Sequence, residues 1–213
     1  MEAFESENQQ LAALKQLWQK YNRSILLTVV VFMVVLFGGR YWQNNKTIRL
    51  QQAAQIYQEM LVAEYQNDVT TAIAKGGQLV ADFTSTPYSQ LAALMLAKIA
   101  VSENNLDLAV EKLQWVIKHK GSKKVAANIA TVRLARVLEQ QGKLDEALAL
   151  VAEDPAAAYI PLYSQARGDI LVAKGEPALA KTAYMHALES LPPGAQAPSL
   201  QAKLLDLGGE DHA

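Results

Sequence analysis

The chain has 213 residues, with 20 basic and 21 acidic side chains, 51% hydrophobic residues and no cysteine. Charges that nearly cancel exclude a surface built to hold polyanions, so nucleic acid is not an expected partner. The missing thiols exclude disulfides, thiol catalysis and thiolate metal sites. Good helix formers dominate, and the 11 glycines and 7 prolines gather at a few places, which predicts helices with short joints rather than a sheet.

Residues 1–23 read as a short tail. Leu11, Leu14, Leu17, Trp18 and Tyr21 recur at spacings of three and four, so they share one helical face, and Asn8 is placed to cap its start. Two readings stay open: an interfacial helix lying on a membrane, or an extension of the helix that follows.

Residues 24–42 read as a transmembrane anchor. The run from Ile25 to Phe37 is apolar except for Thr28, and Arg23 and Arg40 bracket it. The sixteen uncharged residues between those arginines span about 24 Å as helix, against a hydrocarbon core of roughly 30 Å. Snorkelling arginines and the interfacial rings of Tyr21, Tyr41 and Trp42 make up the difference. A buried core helix could be this hydrophobic, but the run has no polar stripe and sits between aromatic and basic markers at both ends. A cleaved signal peptide would end on small residues, whereas this run ends Gly38-Gly39-Arg40-Tyr41-Trp42. Lys15, Lys20 and Arg23 before the span tie with Arg40, Lys46 and Arg49 after it, so charge does not set the orientation. Long domains are exported largely regardless of charge, which favours tail inside and domain outside.

From residue 43 onward the pattern predicts helices over 48–66, 69–83, 89–103, 106–120, 125–141, 144–153, 160–174, 177–190 and 200–207, and a polar tail over 208–213. The joints repeat. Gly142-Lys-Leu-Asp-Glu-Ala147 aligns with Gly175-Glu-Pro-Ala-Leu-Ala180, 33 residues on, and Asn104-Asn-Leu-Asp-Leu-Ala109 lies 38 residues before it. Periods near 34 mark tetratricopeptide arrays, in which each helical hairpin buries the apolar face of its neighbour. Ala97, Ala135 and Gly168 are the small residues at which paired helices approach. The fold class expected is therefore all-α: one N-terminal transmembrane helix followed by a tetratricopeptide-like hairpin array over 84–207. The pair within 43–83 fits the repeat poorly and is read as a divergent cap.

No constellation for catalysis or a cofactor stands out. His119, His186 and His212 are scattered, and no phosphate-binding glycine loop or nucleophile elbow occurs. Gly76-Gly77 lacks the partners of a phosphate loop. Asp107 with Glu111, and Asp145 with Glu146, suit solvated helix starts. Lys118-His119-Lys120-Gly121-Ser122-Lys123-Lys124 reads as a solvated loop or a contact for anionic lipid or an acidic partner. Arg133 and Arg136 are expected to pair with acids on neighbouring helices. The residues directly after the small crossing positions, Lys98, Arg136 and Asp169, with Glu139 and Gln165 about a turn away, form the candidate protein-binding face. The alternative is that these side chains pair with each other between adjacent hairpins and only fix the array's curvature.

The chain resembles the YfgM family of ancillary SecYEG translocon subunits, which are inner-membrane, tetratricopeptide-like proteins. The likeness lies in Glu5-Ser-Glu-Asn8, Gly39-Arg-Tyr-Trp42, Tyr88-Ser-Gln-Leu-Ala92, Val132-Arg-Leu-Ala-Arg-Val137, and Arg167-Gly168 before Lys174-Gly175. The resemblance implies a cytoplasmic tail, a periplasmic domain and no catalytic residues. It implies partners in the SecYEG translocon, a membrane-anchored parvulin-like prolyl isomerase chaperone, a stress-response regulator and exported clients. A general envelope scaffold in cell division or outer-membrane assembly, and a cytosol-facing receptor, remain the alternative functions.

Overall fold

The computed structural model describes the backbone of residues 2–119 and 124–209. Side chains are described from residue 43 onward within those ranges, apart from Lys124 and Gly209, and before it for Trp18, Arg23, 26–28, 30–34, 36–37 and 40. Nine α-helices are present among the described residues: α1 (Glu2–Tyr65), α2 (Val69–Asp82), α3 (Pro87–Ser102), α4 (Leu106–Lys118), α5 (Lys124–Gln140), α6 (Leu144–Leu150), α7 (Ile160–Ala173), α8 (Pro177–Glu189) and α9 (Pro198–Gly209). A single 3₁₀ turn over Ala157–Tyr159 leads into α7. The chain divides into two compact units, Met1–Gln51 and Gln52–Ala213.

In the first unit, α1 begins at Glu2 and passes residues 24–42 without a break. Asn8 therefore lies inside the helix and caps nothing, and no joint separates residues 43–47 from what precedes them. Of the apolar run, Leu26, Leu27, Val30, Val31, Phe32, Met33, Val34, Leu36 and Phe37 are all exposed, Phe37 by 68%. Among the described residues no helix is long and apolar enough to cross a membrane. The side chains of Ser24, Ile25, Val29, Val35, Tyr41 and Trp42 in the expected anchor, and those of Leu11, Leu14, Leu17 and Tyr21 in the tail, lie outside the described residues.

The second unit is a row of helical hairpins. The end of α1 pairs with α2, α3 with α4, α5 with α6 and α7 with α8, and α9 packs against α8. One turn chemistry joins every hairpin. Asn67, Asn104, Gly142 and Gly175 adopt left-handed φ of 58°, 56°, 75° and 77°, a conformation that only glycine and, less readily, asparagine take without strain. The next residue's N–H then donates six-to-one back into the helix just ended: Asp68 to Ala63 at 2.8 Å, Asn105 to Ala100 at 2.7 Å, Lys143 to Leu138 at 2.9 Å and Glu176 to Leu171 at 2.9 Å. Five residues beyond each left-handed residue stands a fully buried alanine, Ala72, Ala109, Ala147 or Ala180. The first pair thus shares the joint of the other three, and its Asn67-Asp-Val-Thr-Thr-Ala72 is a further copy of the motif.

The crossing of each hairpin follows from the same register. Seven residues before the left-handed residue stand Met60, Ala97, Ala135 and Gly168; nine residues after it stand Gly76, Leu113, Val151 and Tyr184. Small faces large in every case, with the sense reversed in the first hairpin. A Cβ on Gly76 would come within 2.8 Å of Met60 Cε and 2.9 Å of Leu96, and a Cβ on Gly168 would enter the Tyr184 ring. Gly76 is therefore a packing residue, whereas Gly77 has open space around its Cα.

The remaining helix ends depart little from expectation. Pro87 opens α3 at its first turn, where a proline costs no hydrogen bond. The helix α6 stops at Leu150 rather than running to residue 153. There Arg167 Nε donates to Val151 O at 2.8 Å, taking up a carbonyl that a further helical turn would have used. Residues 120–123 of the basic cluster, and His212, lie outside the described residues. His119 sits at the α4 C-cap, stacked on Trp115 and bonded through Nε2 to Thr84 O at 2.9 Å.

Overpacking should therefore single out one glycine of the adjacent pair 76–77. Gly76→Leu and Gly168→Leu are each expected to cost about 1–3 kcal/mol. Gly77→Ala should be neutral or stabilising by about 0.5–1 kcal/mol, since it removes a flexible residue from a helix interior. Thermal melts followed by circular dichroism on the full chain in detergent check this, and equal tolerance at 76 and 77 would refute the crossing assignment.

Candidate functional site

The turn register makes side chains on successive first helices comparable. Six residues before the left-handed residue stand Lys98, Arg136 and Asp169; three before it stand Glu64, Val101, Glu139 and Val172. In the first interface between hairpins, Lys98 Nζ donates to Glu64 Oε1 at 2.7 Å. In the second, Val101 takes the place of the acid, and it and Arg136 line a common cavity of about 380 Å³ between α3 and α5. Its floor is Ala97, Val101, Leu113 and Val137, and its rim is Lys98, Arg133, Arg136 and Gln140. In the third, Glu139 meets Asp169, acid against acid.

Asp169 is held from two sides: the Tyr184 hydroxyl donates to Oδ1 at 2.8 Å, and Lys203 of α9 forms an ion pair with the same oxygen. Lys203 also lies 5.7 Å from the Tyr184 ring centroid. Burial, then the bond to Asp169, pushes the Tyr184 hydroxyl well above the ordinary tyrosine range. Burial raises the Glu139 carboxyl, and the Asp169 charge raises it further against the opposing pull of Arg136 and Lys203.

The five candidate residues do not form one constellation. Lys98 pairs with Glu64, and Asp169 with Tyr184 and Lys203, none of which is among the five. Gln165 is half-buried on α7. Arg136 and Arg133 are both exposed, and among the described residues neither reaches a carboxylate at ion-pair distance, so the expected pairing with acids on neighbouring helices is not found. Arg136 acts electrostatically on Glu139, one turn along the same helix. Lys98 and Arg136 meet on the groove; Arg133 and Gln140 belong to it too. Their spacing on α5, 133, 136, 137 and 140, is the period of one helix face, a signal already present in the sequence.

A second cluster has the residue types of a hydrolase but not its access. Ser164 Oγ lies 3.1 Å from His186 Nδ1, and His186 Nε2 lies 3.9 Å from Asp154 Oδ2. Ser164 is fully buried, so its hydroxyl meets no substrate. Asp154 instead takes a hydrogen bond from Arg167 Nη2 at 3.1 Å, and the network fastens the α6–α7 connection to α8.

Comparison with known proteins agrees with this geometry. A tetratricopeptide repeat-like domain family matches residues 15–209. The chain is 30% identical over 184 residues to an ancillary SecYEG translocon subunit of Aggregatibacter actinomycetemcomitans, covering 86% of this chain and 89% of that protein. This chain belongs to the family of ancillary SecYEG translocon subunits built on a tetratricopeptide repeat-like domain. Subunits of the same description in Haemophilus influenzae and Escherichia coli are 28% and 27% identical, over 93% and 97% of this chain and 95% and 99% of theirs. The match to nearly their whole length includes the segment before Gln52, beyond the hairpin row.

Glu139 offers a check on the third interface. Its raised pKa means the folded protein holds that proton more tightly than the unfolded chain, so its share of stability is present below the ordinary glutamate range and is lost as pH rises through the raised value. Glu139→Gln is therefore expected to raise the melting temperature at pH 7. The gain should vanish by about pH 3, where the carboxyl is protonated in both states. A gain that persists at low pH would mean that packing, not charge, is responsible.

Proposed function

We propose that this chain is a membrane-anchored, non-enzymatic interaction module that associates with the SecYEG translocon. Residues 24–42 act as an uncleaved signal anchor in the bacterial inner membrane, residues 1–23 stay in the cytoplasm and the hairpin array projects into the periplasm. There it links the translocon to a membrane-anchored parvulin-like prolyl isomerase chaperone and to exported clients, and a stress-response regulator is a further partner. The observation that carries this reading is the set of exposed large apolar side chains on α1, Leu26, Leu27, 30–34, Leu36 and Phe37, in a chain whose relatives are named translocon subunits. A soluble monomer rarely exposes so many large apolar side chains together, and lipid would cover them.

The binding face is assigned to the groove between α3 and α5 with its neighbours along the first helices, Lys98, Arg136, Glu139, Gln165 and Asp169. What supports it is the combination of an apolar floor with cations that have donors to spare. A general envelope scaffold would share this architecture but not the translocon contact.

Two measurements test the proposal. Full-length protein should remain in the membrane pellet after alkaline carbonate and keep its first residues, with the array digested by protease only from the periplasmic side. Photocrosslinkers at Gln140 in intact membranes should capture a translocon subunit or the chaperone. Release by carbonate refutes the anchor; crosslinks to neither partner refute the groove.

A further inference from the structure

The charge pattern along the first helices points to the chemistry of the groove's occupant, an inference that rests on the groove being the binding face. Interfaces one and two of the array are built on the same register. In the first, Glu64 stands three residues before the turn and its carboxylate takes the Lys98 ammonium of the next hairpin. In the second, the corresponding positions hold Val101 and Arg136. The acid is replaced by an apolar side chain, and the cation remains beside a cavity of about 380 Å³. Arg133, one turn before Arg136, adds a second guanidinium to the same rim. We propose that this groove takes an extended segment of a partner protein in which glutamate or aspartate alternates with aliphatic residues. A carboxylate of that segment occupies the place that Glu64 fills one interface earlier, and an aliphatic side chain enters the floor over Val101 and Val137.

The chemistry favours such an occupant over its rivals. A guanidinium offers five donors in a planar fork that matches a carboxylate bidentately, and such bonds are the stronger class of hydrogen bond. A wholly apolar segment would bury Arg136 and Arg133 without a partner, which is costly. A basic segment would meet Lys98, Arg133 and Arg136 as like charges. Glu139, one turn along α5, makes no ion pair with Arg136 among the described residues, so it does not supply the missing carboxylate. Each extended residue advances about 3.3 Å, so acids two positions apart can meet both arginines from one side of the strand.

The register also supplies the decisive variant. Val101→Glu restores in cis the acid of the first interface, so it should pair with Arg136 and close the groove to an outside carboxylate. The probe is a fluorescein-labelled, amidated peptide Gly-Ser-Glu-Leu-Glu-Val-Glu-Ser-Gly, compared with the same peptide carrying Gln at each Glu. With full-length protein in detergent, fluorescence anisotropy should show the acidic peptide bound about tenfold more tightly than its Gln counterpart, and this preference should fall as salt rises. Val101→Glu and the exposed-site variant Arg136→Gln should each remove that preference, while Val101→Gln, similar in size but uncharged, should keep it. Melting curves establish that each variant is folded; were Val101→Glu to unfold, Arg136→Gln alone would decide. Equal binding of the two peptides, or an acidic preference untouched by Arg136→Gln, overturns the inference. If Gln140 crosslinks to partners in membranes but the crosslink is indifferent to both charge variants, the groove binds another chemistry: this inference falls and the binding face stands. If Gln140 crosslinks to nothing, both fall.

Discussion

Every hairpin of the array depends on one contact, the crossing between the residue seven before its left-handed turn and the residue nine after it. Two helices can pack at close range only where their facing side chains together fill the space without excess. Met60 over Gly76, Ala97 near Leu113, Ala135 near Val151 and Gly168 under Tyr184 are four solutions to that requirement. The glycine moves from the second helix to the first between the ends of the array, and the large partner moves with it in the opposite sense. What is constrained is the sum across the crossing, not the residue at either position.

The turn fixes where that crossing falls. A left-handed residue at the end of the first helix reverses the chain in a fixed number of residues, so the buried alanine five positions on meets the same level of its partner each time. The consequence reaches beyond the hairpin. Lys98 bonds to Glu64, Gln141 to Asp107 and Lys203 to Asp169, each pair 34 residues apart, while His119 to Thr84 and Tyr163 to Asn128 are 35 apart. The left-handed turns recur at 37, 38 and 33 residues, so most of these bonds join residues about one repeat apart, and Lys174 bonds to Asp145 at 29. The small domains of polar contact between neighbouring hairpins are therefore a property of the period, and a change in turn length would disturb all of them together.

Much of this was legible in the sequence because it rests on local rules. Gly142, Gly175 and Asn104 announced their turns, the alanines five residues on completed the motif, and the helix bounds predicted from them agree with the structure to within a few residues at most ends. The first hairpin was not recognised as an equal. Its turn uses Asn67 rather than glycine, its first-helix crossing residue is Met60 rather than a small one, and its compensating Gly76 stood on the other helix, where it looked incidental. The early end of α6 has a different cause: Arg167, a side chain from the next hairpin, takes the Val151 carbonyl, which no local pattern reveals. In the candidate site, the sequence supplied the positions Lys98, Arg136 and Asp169 but not their partners. Whether a cation pairs depends on the residue 34 or 35 positions earlier, and only the turn register identifies which residue that is.

By the same dependence, the proposed groove costs the fold of the array little. The Lys98–Glu64 pair is largely solvent-exposed, with Lys98 at 65%, and exposed ion pairs contribute only about 0–1 kcal/mol. Placing Val101 where the next interface would hold an acid forfeits no more than this, since the crossing, the turn and the buried alanines are untouched. Yet the same replacement leaves a guanidinium beside apolar surface, and there an incoming carboxylate is worth more than it would be in open water. Stability and recognition are thus set by different positions of one register: those facing within the hairpin hold the array together, and those facing the next hairpin are free to be paired internally or left for a partner.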